Sequence, residues 1–174
     1  MQPKAILFDR DGTLMYDLPP RAGPSDVVLM PGIALALARL RAARIRTAVV
    51  SNQCGVGEGT LDIRRMHAIN RRIDDLAGPM DGWFVCLHAT HANCNCRKPR
   101  PGLIHRAAEK LGVEARDCVV IGDIASDMEA ARAAGARAIM IPNESTLAHE
   151  IVAAPEVAFD MLEAVEWLVD VAYV

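Results

Sequence analysis

The residues with the most chemistry in this chain fall into short, separated motifs. Asp9 and Asp11 flank Arg10 and precede Gly12-Thr13, directly after the apolar run 4–8. In extended chain, side chains at i and i+2 share a face, and a glycine next in line permits a sharp turn. A carboxylate pair placed so can hold a divalent cation, or divide the roles of nucleophile and acid/base. In isolation an Asp-Gly turn is as often merely solvated. Here three further motifs accompany it: Ser51-Asn52-Gln53 after the run 47–50, Lys98 within Cys-Arg-Lys-Pro, and Gly122-Asp123-Ile124-Ala125-Ser126-Asp127 after the run 118–121. Attack on a phosphoryl group needs a placed nucleophile, a proton donor for the leaving oxygen and positive charge against the developing negative charge. Asp9, Asp11, Lys98 and a magnesium ion would supply these.

A second constellation has different chemistry. Cys86, His88, Cys94 and Cys96 offer three thiolates and one imidazole within the loop 86–96. Three sulfurs and one nitrogen make a closed tetrahedral set suited to structural zinc, with no position left for water. His91 is a second candidate nitrogen ligand in the same loop. Cys54 and Cys118 stand apart and read as ordinary reduced cysteines.

The elements that must position these groups alternate. Short apolar runs at 4–8, 47–50, 83–87, 118–121 and 138–141 read as strands, and segments of helical period at 32–43, 61–76, 103–111, 127–134 and 160–169 lie between and after them. This βαβ alternation predicts an α/β fold, a three-layer, doubly wound and mostly parallel sheet that holds ligands at the carboxyl ends of its strands. The 174 residues suit one domain, 1–174, and the Pro-rich stretch after the first strand reads as a flap. The glycine-rich run 55–59 fits neither a dinucleotide fingerprint nor a P-loop and reads as a mobile substrate loop.

Composition removes several classes of partner. Apolar residues make up 52% and charged residues 24%, with a net charge of −3, so neither a disordered acidic chain nor a basic nucleic-acid binder fits. No nucleic-acid partner and no membrane are expected. No apolar run is long enough to span a bilayer, and the reduced Cys/His cluster fits a cytoplasmic protein, expected to be a monomer.

The ordered motifs resemble those of the haloacid dehalogenase-like (HAD) phosphohydrolases, whose first motif is an apolar strand followed by Asp-x-Asp-Gly-Thr. The resemblance implies that Asp9 attacks phosphorus to form an aspartyl-phosphate, while Asp11 protonates the departing alcohol and then activates water. Ser51 and Lys98 would hold the phosphoryl oxygens, and magnesium would take the Asp9 carboxylate, the Asp11 carbonyl and the Asp123 carboxylate. Asp127 would orient that shell. The Cys-x-His…Cys-x-Cys-Arg-Lys-Pro loop resembles the subgroup that contains heptose bisphosphate phosphatases and histidinol-phosphatases, and it favours His88 over His91 for zinc. Such a loop would fix Arg97 and Lys98, with Arg97 reading a second anionic group. Asp17, Asn52 and Gln53 are the other expected substrate contacts.

Too few residues separate the motifs for a separate cap domain, so the site should be open and discriminate through the loops 17–20 and 52–59 and the zinc loop. The implied leading substrate is D-glycero-D-manno-heptose 1,7-bisphosphate, ahead of histidinol phosphate or another small phosphorylated metabolite. Glu58, Cys54 and Ile124 depart from the pattern at positions that bear on specificity, and Ser51 replaces the more frequent Thr while keeping the hydroxyl.

Overall fold

The computed structural model describes residues 2–19 and 21–169. Pro20, at the end of the expected loop 17–20, lies outside the described residues, as does the chain after 169. Five strands form one parallel sheet: β1 (Ala5–Phe8), β2 (Arg46–Asn52), β3 (Gly82–Cys86), β4 (Cys118–Gly122) and β5 (Arg137–Met140), in the order β3-β2-β1-β4-β5.

Alternation along each strand builds two cores. Ile6, Phe8, Val49 and Ile121 face one layer, against α1 (Ile33–Ala42), α7 (Met161–Leu168) and the end of α3 (Ile63–Ala77). Ala5, Leu7, Val50 and Val120 face the other, against α4 (Gly102–Leu111) and α5 (Ala125–Ala134). The strands are apolar throughout because helices cover both faces. The expected α/β architecture is therefore the observed one. No helix among the described residues is long and apolar enough to cross a membrane.

Two short helices lie where periodicity gave no signal: α2 (Cys54–Gly57) and α6 (Ala148–Ala153). The first corrects the reading of the run 55–59 as a mobile substrate loop, since its residues 55–57 are helical. It forms one helical turn, and a Cβ added at Gly57 would lie 2.4 Å from the Leu87 carbonyl and the Ala89 nitrogen, so this turn is pressed onto the backbone of the Cys/His loop. Strand β2 also runs further than expected, which places Ser51 and Asn52 inside it. The flap is tied down where Tyr16 N–H donates to Val28 O and Met30 N–H donates to Leu14 O.

The strand order reverses at β1, with β2 on one side and β4 on the other. In an open parallel sheet, ligands bind outside the carboxyl ends of the strands at such a switch point. Asp9 follows β1 and Asp123 follows β4, so both open into that crevice.

Candidate active site

Asp9 is delivered by the end of β1, its N–H donating to Ile121 O of β4 at 2.8 Å. Its Oδ1 lies 2.8 Å from Lys98 Nζ, which is 2.5 Å from Asp127 Oδ1 and donates to Val50 O at 2.9 Å. All three ionic side chains are buried. Burial pulls the Lys98 ammonium toward the neutral form, but the Asp127 and Asp9 carboxylates more than offset this and hold its pKa above the usual lysine value.

Asp123 accepts from Thr13 Oγ1 at 3.1 Å and from Asn143 Nδ2 at 2.8 Å, and that same Asn143 amide also donates to Gly12 O. Gly12 has φ +75°, and a Cβ there would lie 2.4 Å from Asp123 Oδ2, so no side chain fits. Asn143 did not stand out in the sequence. Its signal was its place just beyond β5, where a parallel sheet keeps its functional groups.

Asp11 points to the other side of the turn. Arg10, itself buried, donates to it from Nε and Nη2 at 2.9–3.2 Å and reaches Asn70 of α3 with Nη1 at 3.0 Å. Gln53 Nε2 donates to Asp11 Oδ2 at 2.6 Å and to Ser51 Oγ at 2.9 Å. Asn52 spends its amide on the Lys98 main chain, donating to its carbonyl and accepting from its N–H. The amides of Asn52 and Gln53, expected on substrate, thus have partners inside the protein. Asp17 is exposed and lines a 480 Å³ cavity beside Gly12, Thr13 and Asn143; partial burial and then the nearby Asp11 raise its pKa.

The carboxylates of Asp9, Asp123 and Asp127 offer oxygens within 4.8 Å of one another. Three carboxylates against one Lys98 ammonium leave two negative charges without a partner. Both open acids are shifted upward: burial, only partly offset by Lys98, pushes Asp9 up to about 7, and burial with the charge of Asp9 pushes Asp123 up to about 6. A divalent cation with oxygen ligands fits this charge deficit. Asp127 gives Oδ1 to Lys98 and Oδ2 to the Ile124 N–H, so it serves the cluster by holding the lysine.

Cys86, His88, Cys94 and Cys96 converge as a second group. Their sulfurs are 3.3–3.6 Å apart, and His88 Nδ1 is 3.5 Å from Cys86 Sγ and 3.2 Å from Cys96 Sγ. A tetrahedral zinc at about 2.3 Å from each sulfur has edges of about 3.8 Å, so the set fits that ion with slight expansion. His91 is exposed and outside this group. Arg97 and Lys98 follow Cys96 directly. Arg97 Nη1 is buried without a hydrogen-bond partner, beside a 520 Å³ cavity that Lys98 and Arg100 also line.

A parallel sheet that presents a buried aspartate, a lysine and a cation-ready carboxylate at its switch point defines a phosphohydrolase of the HAD-like class. Comparison with known proteins agrees. The model of the HAD-hydrolase-like family matches residues 95–166. The D-glycero-beta-D-manno-heptose-1,7-bisphosphate 7-phosphatase of Bordetella bronchiseptica is 32% identical over 137 residues, covering 76% of each chain, and that of Pseudomonas aeruginosa is 30% identical over 146 residues, covering 81% of this chain and 82% of its own. The crystal structure of the D,D-heptose 1,7-bisphosphate phosphatase from B. bronchiseptica, complexed with magnesium and phosphate, superposes with a TM-score of 0.83 at 27% identity, covering 95% of this chain and 97% of that one. The chain belongs to the HAD-like phosphatase family and is a phosphoric monoester hydrolase.

Each charge cluster has a measurable signature. Because the folded-state pKa of Asp9 is raised, the metal-free protein loses stability as pH rises from the usual carboxylate range through about 7. Below that pH magnesium must displace a proton, so its apparent affinity should rise about tenfold or more between about pH 6 and about pH 8. Magnesium titrations monitored by thermal midpoint check this, and a pH-independent affinity would contradict it. For the second cluster, the purified protein should carry one zinc per chain by elemental analysis, and Cys96→Ser should lower both zinc content and thermal midpoint.

Proposed function

We propose that this protein is a magnesium-dependent phosphomonoesterase that works through an aspartyl-phosphate on Asp9, with D-glycero-D-manno-heptose 1,7-bisphosphate as substrate and the 7-phosphate as the group removed. The observation that carries the chemistry is the Asp9 carboxylate held 2.8 Å from Lys98 and beside Asp123. An aspartate so fixed is a placed nucleophile, and the ammonium beside it is placed for the charge that develops on the phosphoryl oxygens. Ser51 Oγ, buried at the end of β2, is a second donor toward those oxygens.

The residues that would hold magnesium are Asp9, Asp123 and the Asp11 carbonyl, which accepts no backbone N–H among the described residues. Magnesium, when bound, supplies Lewis-acid charge neutralisation at the phosphoryl group. Asp11 serves as proton donor to the departing alcohol oxygen and then takes a proton from the water that attacks the aspartyl-phosphate. Zinc would be held by Cys86, His88, Cys94 and Cys96, where it fastens the loop 86–96 and takes no part in the chemistry.

Support for a bisphosphate comes from the relatives' names and from Arg97, whose planar fork has a buried, unpartnered N–H group beside the cavity that Lys98 lines. Asp17 stands at the other cavity, where it can meet the sugar hydroxyls. The protein acts as one domain, with no cap over the site among the described residues, and as a monomer. A thiolate set that must stay reduced to bind zinc supports a cytoplasmic location.

Phosphate release with magnesium, measured in parallel on D-glycero-D-manno-heptose 1,7-bisphosphate and histidinol phosphate, tests this. The wild type should release one phosphate from the heptose bisphosphate and turn over histidinol phosphate poorly, and Asp9→Asn should lose about 10³-fold or more. Preference for histidinol phosphate would move the substrate, and activity retained by Asp9→Asn would overturn the mechanism.

A further inference from the structure

Gln53 is buried and sits between the two constellations. Its main-chain N–H donates to the carbonyl of Cys86, a residue of the Cys/His cluster, at 2.8 Å. Its side-chain nitrogen donates to Asp11 Oδ2 at 2.6 Å and to Ser51 Oγ at 2.9 Å. A primary amide has two N–H groups, and both are committed. Gln53 therefore has no donor left for a substrate oxygen, and its reach is directed at the acid/base carboxylate.

The chain just beyond Gln53 is fastened as well. Helix α2 begins at the next residue and ends at Gly57, whose close approach to Leu87 and Ala89 seats it on the Cys/His loop. Glu58 then accepts from Thr90 Oγ1 at 2.6 Å and from Thr90 N–H at 3.2 Å. This clasp explains an acidic residue at 58, since the carboxylate is occupied by the loop. From the opposite side Arg10, anchored on Asn70, holds Asp11 through two nitrogens.

The geometry points to Gln53 as a positioning residue for Asp11, with the Glu58–Thr90 clasp fixing where Gln53 reaches. The inference rests on the acid/base role proposed for Asp11. A carboxylate that must deliver a proton to the leaving oxygen works only within hydrogen-bond reach, and a small misplacement costs rate steeply. Losing Gln53 should thus harm proton delivery while leaving the phosphoryl grip of Lys98 intact.

Leaving-group dependence separates the two. An alkyl phosphate needs its leaving oxygen protonated, whereas 4-nitrophenyl phosphate departs as a stable phenolate. The test compares wild type, Gln53→Leu and Glu58→Ala by kcat/KM on 4-nitrophenyl phosphate and on whichever of heptose 1,7-bisphosphate and histidinol phosphate the wild type hydrolyses faster. Inhibition by inorganic phosphate is measured beside them. Gln53→Leu should lose about 10²-fold on the alkyl phosphate and less than about threefold on the aryl phosphate, with the phosphate inhibition constant changed by less than about threefold. Glu58→Ala should show the same selectivity with a smaller loss. Equal losses on both substrates, or weakened phosphate inhibition, would overturn the inference and return Gln53 to phosphoryl binding. If Gln53→Leu fails to fold, Gln53→Glu keeps the size, sets a like charge beside Asp11 and should give the same selective loss. Asp9→Asn serves as control: its retained activity would sink the underlying mechanism, while its inactivity beside a non-selective Gln53→Leu would sink this inference alone.

Discussion

A lysine ammonium buried between two carboxylates holds this site together. Taking an ion of that size out of water costs several kcal/mol even after relaxation, and only close, well-oriented opposite charges return it. Lys98 meets Asp9 from β1, Asp127 from α5 and the Val50 carbonyl of β2, so one side chain ties three elements of the sheet end together. Because carboxylates outnumber the cation, the cluster stays short of positive charge, and that shortage is what a divalent ion fills. The same electrostatics that make the cluster costly without metal make it ready for phosphoryl chemistry with it.

Lys98 reaches this position from a loop with little apolar material to fix it. Asn52 pins its main chain to β2, and the Cys/His cluster that begins at Cys86 and ends two residues before Lys98 can close the loop by holding a metal ion. A structural ion is a physical substitute for the core that a loop of this length cannot bury. Helix α2 then packs on the loop through Gly57 and Glu58 and hands its position on to Gln53. The Cys/His loop, Lys98 and the Asp11 carboxylate thus form one mechanical chain.

Much of this was legible in the sequence, for a physical reason. The strands are buried on both faces and read as apolar runs, and a parallel sheet puts chemistry directly after such runs, so Asp9, Ser51 and Asp123 could be found by position. The Cys/His spacing was local enough to read directly. Less legible were contacts between distant residues with common side chains: Arg10 with Asn70, Asn143 with Gly12 and Asp123, and Glu58 with Thr90. Nothing in the type or spacing of these residues pairs them, because their partners are brought near only by the fold. The turn at Cys54–Gly57 was hidden likewise, since its glycines discourage a helix and only packing against the loop stabilises it.

The Lys98 charge balances buried carboxylates across the sheet end. A double-mutant cycle in urea measures this most directly, using Lys98→Met, Asp127→Asn and the pair. Lys98→Met should lose about 3–5 kcal/mol by stranding buried carboxylates, and adding Asp127→Asn to it should restore part of the loss. Losses that simply add, or a Lys98→Met protein as stable as the wild type, would contradict it.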